Sequence, residues 1–202
     1  MARRGQGNQR SKDHFSKKAR KEGKPARSYY KLEEIDKKIQ LFNRGQRVLD
    51  LGCSPGSWML YAAERVGESG QVLGYDLKEV NTTMPQHAEA RVGDVFELSV
   101  EDFGGMFQVI VSDMAPKTTG NRVTDHLRSA GLVERALDLA LRCLEPGGAV
   151  VAKLLEGAEI ESIVRRMRGE YEKVQRFRPK ATRQESTEVF LVGLKRRNDE
   201  QA

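Results

Sequence analysis

Two cysteines and three histidines in 202 residues leave little material for cross-links or metal sites. Cys53 and Cys143 are too few and too far apart for a disulfide framework or a zinc site. His14, His87 and His126 show no ligand spacing, so no structural metal is expected. No apolar run approaches the roughly 18–20 residues that span a bilayer. The start, Met1-Ala2-Arg3-Arg4-Gly5, is basic but leads into more polar residues, so no secretory signal is expected. There is no internal repeat, no low-complexity tract and no sign of a second domain. What remains is a single globular domain, long enough to bury a core and expected in a reducing cytoplasm as a monomer.

Charge is plentiful, and it is segregated. The chain has 35 Lys and Arg against 29 Asp and Glu, a formal net charge of +6. Residues 1–31 hold 11 of those cations (Arg3, Arg4, Arg10, Lys12, Lys17, Lys18, Arg20, Lys21, Lys24, Arg27, Lys31) against Asp13 and Glu22. The body is therefore slightly acidic. A basic arm on such a body suits a polyanion, and its phosphate contacts would make affinity strongly salt-dependent. A solvated tail is the bland reading. An acidic membrane fits less well, because the arm lacks an apolar face. The expected division is a basic arm over 1–27, a folded domain over 28–197 and a short tail over 198–202.

Ser28 can cap a helix with Leu32, Ile35 and Ile39 at helical spacing. From Gln46 onward, short apolar runs alternate with longer helical ones. Strands are expected at Arg47–Leu51, Gln71–Leu77, Ala90–Val95, Phe107–Asp113, Ala149–Leu155, Val174–Phe177 and Val189–Leu194. Helices are expected at Ser57–Arg65, Asp125–Leu144 and Ala158–Arg168, with Pro146-Gly147-Gly148 stopping the long one. Such alternation implies an α/β fold, a mostly parallel sheet with helices on both faces. Only Arg178–Thr187 separates the last two strands, too short for a helical crossover, so the seventh strand should pair antiparallel.

The segment Asp50-Leu51-Gly52-Cys53-Ser54-Pro55-Gly56-Ser57-Trp58 links the first strand to a helix. Gly52 and Gly56 allow a sharp turn and a close approach to a ligand. Ser54 stands where a dinucleotide fingerprint needs its second glycine, which favours a cofactor without a pyrophosphate. S-adenosylmethionine (SAM) is such a cofactor. Asp76 ends the second expected strand, suited to ribose hydroxyls. Asp94 ends the third, suited to an adenine amino group.

Three ionisable residues are awkward for a core. Asp113 closes the fourth strand, Lys153 lies inside Val150-Val151-Ala152-Lys153-Leu154-Leu155, and Glu188 opens the last strand. A buried lysine needs a carboxylate nearby. An antiparallel last strand would bring Glu188 to the edge where the parallel strands end, where open α/β sheets bind ligands. A purely structural ion cluster is the alternative.

From about Asp13 to Lys195 the chain resembles the FtsJ/RrmJ family of RNA ribose 2′-O-methyltransferases. The resemblance rests on DLGCSPGSW, SDMAPKTTG, AKLLEG and TRQESTEVFLV. It implies a Rossmann-like SAM-dependent methyltransferase fold and a Lys-Asp-Lys-Glu tetrad on Lys31, Asp113, Lys153 and Glu188. It also implies SAM contacts at Gly56, Trp58, Asp76, Asp94 and Asp113. The family often has a second glycine where this chain has Ser57. Lys153 would accept or direct the 2′-hydroxyl proton; Lys31 would repel its charge, while Asp113 and Glu188 would favour and orient it. The compact build resembles bacterial members that modify a uridine of 23S rRNA in the 50S subunit. Arg165, Arg166, Arg168, Lys173, Arg176, Arg178, Lys180 and Arg183 form a second basic region for a large RNA. The alternatives are a tRNA anticodon-loop 2′-O-methyltransferase and a ribosome-assembly factor that binds RNA without methylating it.

Overall fold

A computed structural model describes residues 7–183 and 185–198, with side chains from residue 14 onward. The helices are α1 (Gly7–Lys21), α2 (Ser28–Ile39), α3 (Ser57–Val66), α4 (Arg122–Cys143) and α5 (Ile160–Glu170). The strands are β1 (Arg47–Leu51), β2 (Gln71–Asp76), β3 (Ala88–Val92), β4 (Phe107–Ser112), β5 (Leu144–Leu155), β6 (Tyr171–Phe177) and β7 (Glu188–Arg196). They form one sheet in the order β3-β2-β1-β4-β5-β7-β6. The first five strands run parallel, while β7 inserts antiparallel between β5 and β6.

The apolar runs of the central strands follow from burial on both faces. In β1, Val48 belongs to the core on the α2/α3 face, whereas Leu49 and Leu51 belong to the core under α4 and α5. The same alternation puts Val109, Val111, Val151, Phe190 and Val192 toward α2 and α3. It puts Ile110, Ala152, Leu154 and Leu191 toward α4 and α5.

Several boundaries differ from the sequence pattern. The third strand covers Ala88–Val92 rather than Ala90–Val95, because the chain turns at Asp94, whose carbonyl accepts from the Glu97 and Leu98 amides. Asp94 therefore lies two residues past the strand. Helix α4 starts at Arg122, where the Asn121 side chain accepts from the Thr124 amide, and it stops at Cys143. Leu144 pairs with Phe107 at once; the register then shifts across Pro146-Gly147-Gly148 before Ala149 resumes opposite Val109. The basic arm contains a helix that charge counting did not reveal. Phe15 and Ala19 lie one turn apart on α1; Ala19 is buried and the Phe15 ring meets Tyr30 at 5.7 Å. No described helix is long and apolar enough to cross a membrane.

Candidate active site

Side chains alternate along each strand, so register decides which ones meet. Ser112 pairs with Ala152, which sets Asp113 beside Lys153. Lys153 pairs with Phe190 and Leu155 with Glu188. Because β7 runs the other way, its first residue reaches the carboxyl ends of the parallel strands. Asp113, Lys153 and Glu188 fall on the α2/α3 face, and α2 brings Lys31 onto them.

The four side chains form two ion pairs. Lys153 Nζ donates to Asp113 Oδ1 at 2.9 Å and also to the Asp113 carbonyl. Lys31 Nζ pairs with Glu188 Oε1. All four are largely buried, the lysine side chains being 6% (Lys31) and 8% (Lys153) exposed. Burial pushes the Glu188 carboxyl up, but the Lys31 ammonium, its hydrogen bond and the charge of Lys153 outweigh this and hold it below the ordinary 4.5. Each buried cation has the carboxylate its burial requires.

The loop between β1 and α3 sits beside these pairs. Gly52 has φ of 81° and lies against Met114, whose Cα would be 2.9 Å from an added Cβ. Gly56 precedes α3 at φ 107°, and a Cβ there would meet Met84, Val80 and Thr82. Both positions need glycine. The Asp76 carboxylate holds the loop, accepting from the Ser54 amide at 3.0 Å and the Lys78 amide at 2.9 Å. Asp94 caps its own turn, accepting from the Phe96 amide at 3.0 Å.

The Trp58 side chain is engaged inside the core. The indole is buried, 5.6 Å from the Phe190 ring, and donates to the Ser28 carbonyl at 2.9 Å. Near the loop, Trp58 can offer a ligand only its backbone.

Asp50 is a site residue that the sequence pattern did not single out. Its side chain is fully buried on the α2/α3 face, and neither carboxyl oxygen has a hydrogen-bond partner among the described residues. Burial, then the charges of Asp113 and Asp76, push its carboxyl well above the usual range, with the Met59 amide pulling weakly the other way. An acid inside Val48-Leu49-Asp50-Leu51 is the same signal that marks Lys153.

The donor set fits SAM. Asp76 keeps free lone pairs for ribose hydroxyls beside its two backbone bonds. Leu77 and Phe96 are 70% and 56% exposed next to Asp76 and Asp94, which offers apolar surface to a flat base. The strand-to-helix turn has glycines for close approach without the spacing that grips a pyrophosphate. Among the described residues no cluster of His, Cys, Asp and Glu could hold a metal ion.

The chain resembles known proteins over most of its length. The FtsJ-like methyltransferase model matches residues 25–196. A protein of Desulfosudis oleivorans named ribosomal RNA large subunit methyltransferase E is 45% identical over 188 residues, covering 92% of this chain and 91% of its own. A protein of the same name from Nitratidesulfovibrio vulgaris (Miyazaki F) is 46% identical over 196 residues, covering 94% and 97%. A solved ribosomal RNA methyltransferase from Plasmodium falciparum shares the fold with a TM-score of 0.74 at 24% identity, covering 85% of this chain and 98% of its own. With a family model spanning most of the chain and relatives near 45% identity over nine-tenths of it, the protein belongs to the FtsJ-like methyltransferase family.

Proposed function

We propose that the protein transfers a methyl group from SAM to a ribose 2′-hydroxyl of large-subunit ribosomal RNA, a uridine of 23S rRNA in the 50S particle, acting as a monomer in the cytoplasm. The observation that carries this reading is the pair of buried ion pairs, Lys153–Asp113 and Lys31–Glu188, on one sheet face beside the glycine loop. Bound SAM supplies an electrophilic methyl on a sulfonium. Gly56, Asp76, Asp94, Asp113 and the backbone at Trp58 are the groups that would hold it.

The protein's own part is alignment, since displacement at a methyl carbon demands a nucleophile in line with the departing sulfur. Lys153 Nζ carries three protons, and Asp113 engages it at Oδ1 and at its carbonyl. One donor remains for the 2′-oxygen, which it would orient for attack; as the C–O bond forms, the S–C bond would break to leave a neutral thioether and the hydroxyl proton would pass to water. Lys153 thus steers the hydroxyl, and Asp113 fixes Lys153. The Lys31–Glu188 pair sits across the same edge and places the ribose.

Transfer of radiolabelled methyl from SAM to 50S particles, free 23S rRNA and bulk tRNA, with Lys153→Ala alongside, tests this. The expected result is label in 50S particles at a ribose 2′-oxygen, lost in Lys153→Ala while SAM still binds. Label in tRNA alone would replace the substrate, and no label anywhere would leave an RNA-binding assembly factor.

A further inference from the structure

Arg27, Lys31 and Glu34 are spaced four and three apart, so they form one stripe along α2 and its cap. The stripe faces the β6–β7 connection. At one end Glu34 accepts from the Lys180 amide at 2.8 Å. In the middle Lys31 pairs with Glu188. Between these anchors Ala181 is buried, so the connection is seated on the helix. Arg27 breaks the complementarity at the far end of the stripe. Among the described residues it makes no side-chain hydrogen bond or ion pair, and neither does Arg183.

The two arginines face one another's charge. Burial and then Arg183 lower the Arg27 pKa, and Glu188, Glu185 and Asp113 oppose this less strongly. Glu188 and Asp113 are already engaged by Lys31 and Lys153. Helix α2 adds no acid in its first turn and no side-chain cap, so its positive end leans the same way, although the Tyr29 and Tyr30 amides are already taken by the carbonyls of Ala26 and Arg27. Two guanidinium groups with donors unused, one half-buried and one exposed, suit a shared oxyanion that each can meet with a two-pronged contact.

We propose that Arg27 and Arg183 form a subsite for a phosphodiester of the RNA strand, the one flanking the ribose held at Lys153. Arg27 stands one helical turn, roughly 5 Å, before Lys31. That is the scale separating a 2′-oxygen from the phosphates of its own nucleotide. The subsite rests on the RNA methylation reading and extends it. The tetrad handles the acceptor oxygen, while the arginine pair fixes the strand's register along α2.

The test compares Arg183→Ala, Arg27→Lys and, as a charge control at the opposite end of the strands, Arg44→Ala. The probe is unmethylated 50S particles at several salt concentrations, with SAM affinity measured separately by calorimetry. Arg183→Ala should raise KM for particles about tenfold, as removing a charge-assisted hydrogen bond does. It should make the salt slope shallower by about 0.7–0.9, the effect of leaving one phosphate unneutralised. Arg27→Lys keeps the charge, so it should keep the slope while still raising KM. SAM affinity should stay within about twofold. A KM and slope for Arg183→Ala equal to those of Arg44→Ala would overturn the subsite, as would weakened SAM binding with RNA binding intact. If the unmutated protein methylates no RNA, the methylation reading falls, but the binding slopes still decide whether the arginines hold a phosphate.

Discussion

Trp58 in the first turn of α3 donates its indole N–H to the carbonyl of Ser28 in the first turn of α2. Ser28 precedes Lys31 by three residues, and the indole packs on Phe190, two residues after Glu188. Lys31 Nζ in turn lies 5.7 Å from the centre of that phenyl ring. One buried side chain therefore ties the helix that opens at the glycine loop to both members of an ion pair. Trp58→Phe keeps an aromatic ring but leaves the Ser28 carbonyl unbonded, a loss of about 1–3 kcal/mol in stability. Urea melts should show that loss, and kcat should fall more than SAM affinity does. Weakened SAM binding with kcat unchanged would make Trp58 a cofactor contact instead.

Glu188 sets an acid limit. Its carboxyl titrates below the ordinary 4.5 in the folded protein, so the folded state holds fewer protons there than the unfolded chain. The contribution is whole above pH 4.5 and is lost as pH falls through the lower folded value. Glu188→Gln should melt at lower temperature at neutral pH, since it leaves Lys31 buried without its charge partner. Its stability should also fall less steeply than wild type's on acidification, which thermal melts across pH 7 to 3 would reveal.

Asp50 works in the opposite sense. Its carboxyl is raised well above the ordinary 3.8, so the folded state holds a proton that the unfolded chain gives up. Stability must decline as pH rises from 3.8 toward the folded value. Asp50→Asn has nearly the same shape and no charge to bury. It should raise the urea midpoint at neutral pH and remove that decline; an unchanged pH profile would mean that Asp50 stays ionised.

The arm can be divided ahead of the residues that seat α1 on α2. Removing residues 1–13 deletes Arg3, Arg4, Arg10 and Lys12 but spares Phe15 and Ala19, which dock α1 against Tyr30. The melting temperature should hold, and the salt slope of RNA binding should become shallower by about 0.7–0.9 for each phosphate that the shortened arm no longer reaches. Cutting to residue 24 would also remove buried Ala19 and the Lys24–Glu64 ion pair, and would confuse folding with binding.

Asp113, Lys153 and Glu188 were legible in the sequence because charges at strand positions are conspicuous. The short Arg178–Thr187 connection was enough to reverse β7. Asp50 carries the same signal as Lys153, yet it stands next to a glycine loop whose turn-forming residues mask it. Helix α1 was hidden by its charge, since two apolar positions barely register among so many lysines and arginines. The end of β3 was hidden for another reason. It is an edge strand whose residues beyond Ala88 are half or fully exposed, so alternation marks no boundary and Asp94 looked like part of it. The Trp58 side chain could not be placed from sequence at all, because its partner Ser28 lies on another helix.

Strand β7 fills the gap between β5 and β6, so the last strand to be made completes an inner position of the sheet. A growing polypeptide emerges N-terminus first, with its basic helix available long before Glu188 exists. Until that strand slides into place, Lys31 has no counter-charge and the β6–β7 turn has nothing to close. The nascent protein can be drawn to RNA before it can act on it, because the Lys31–Glu188 pair exists only once β7 is in place.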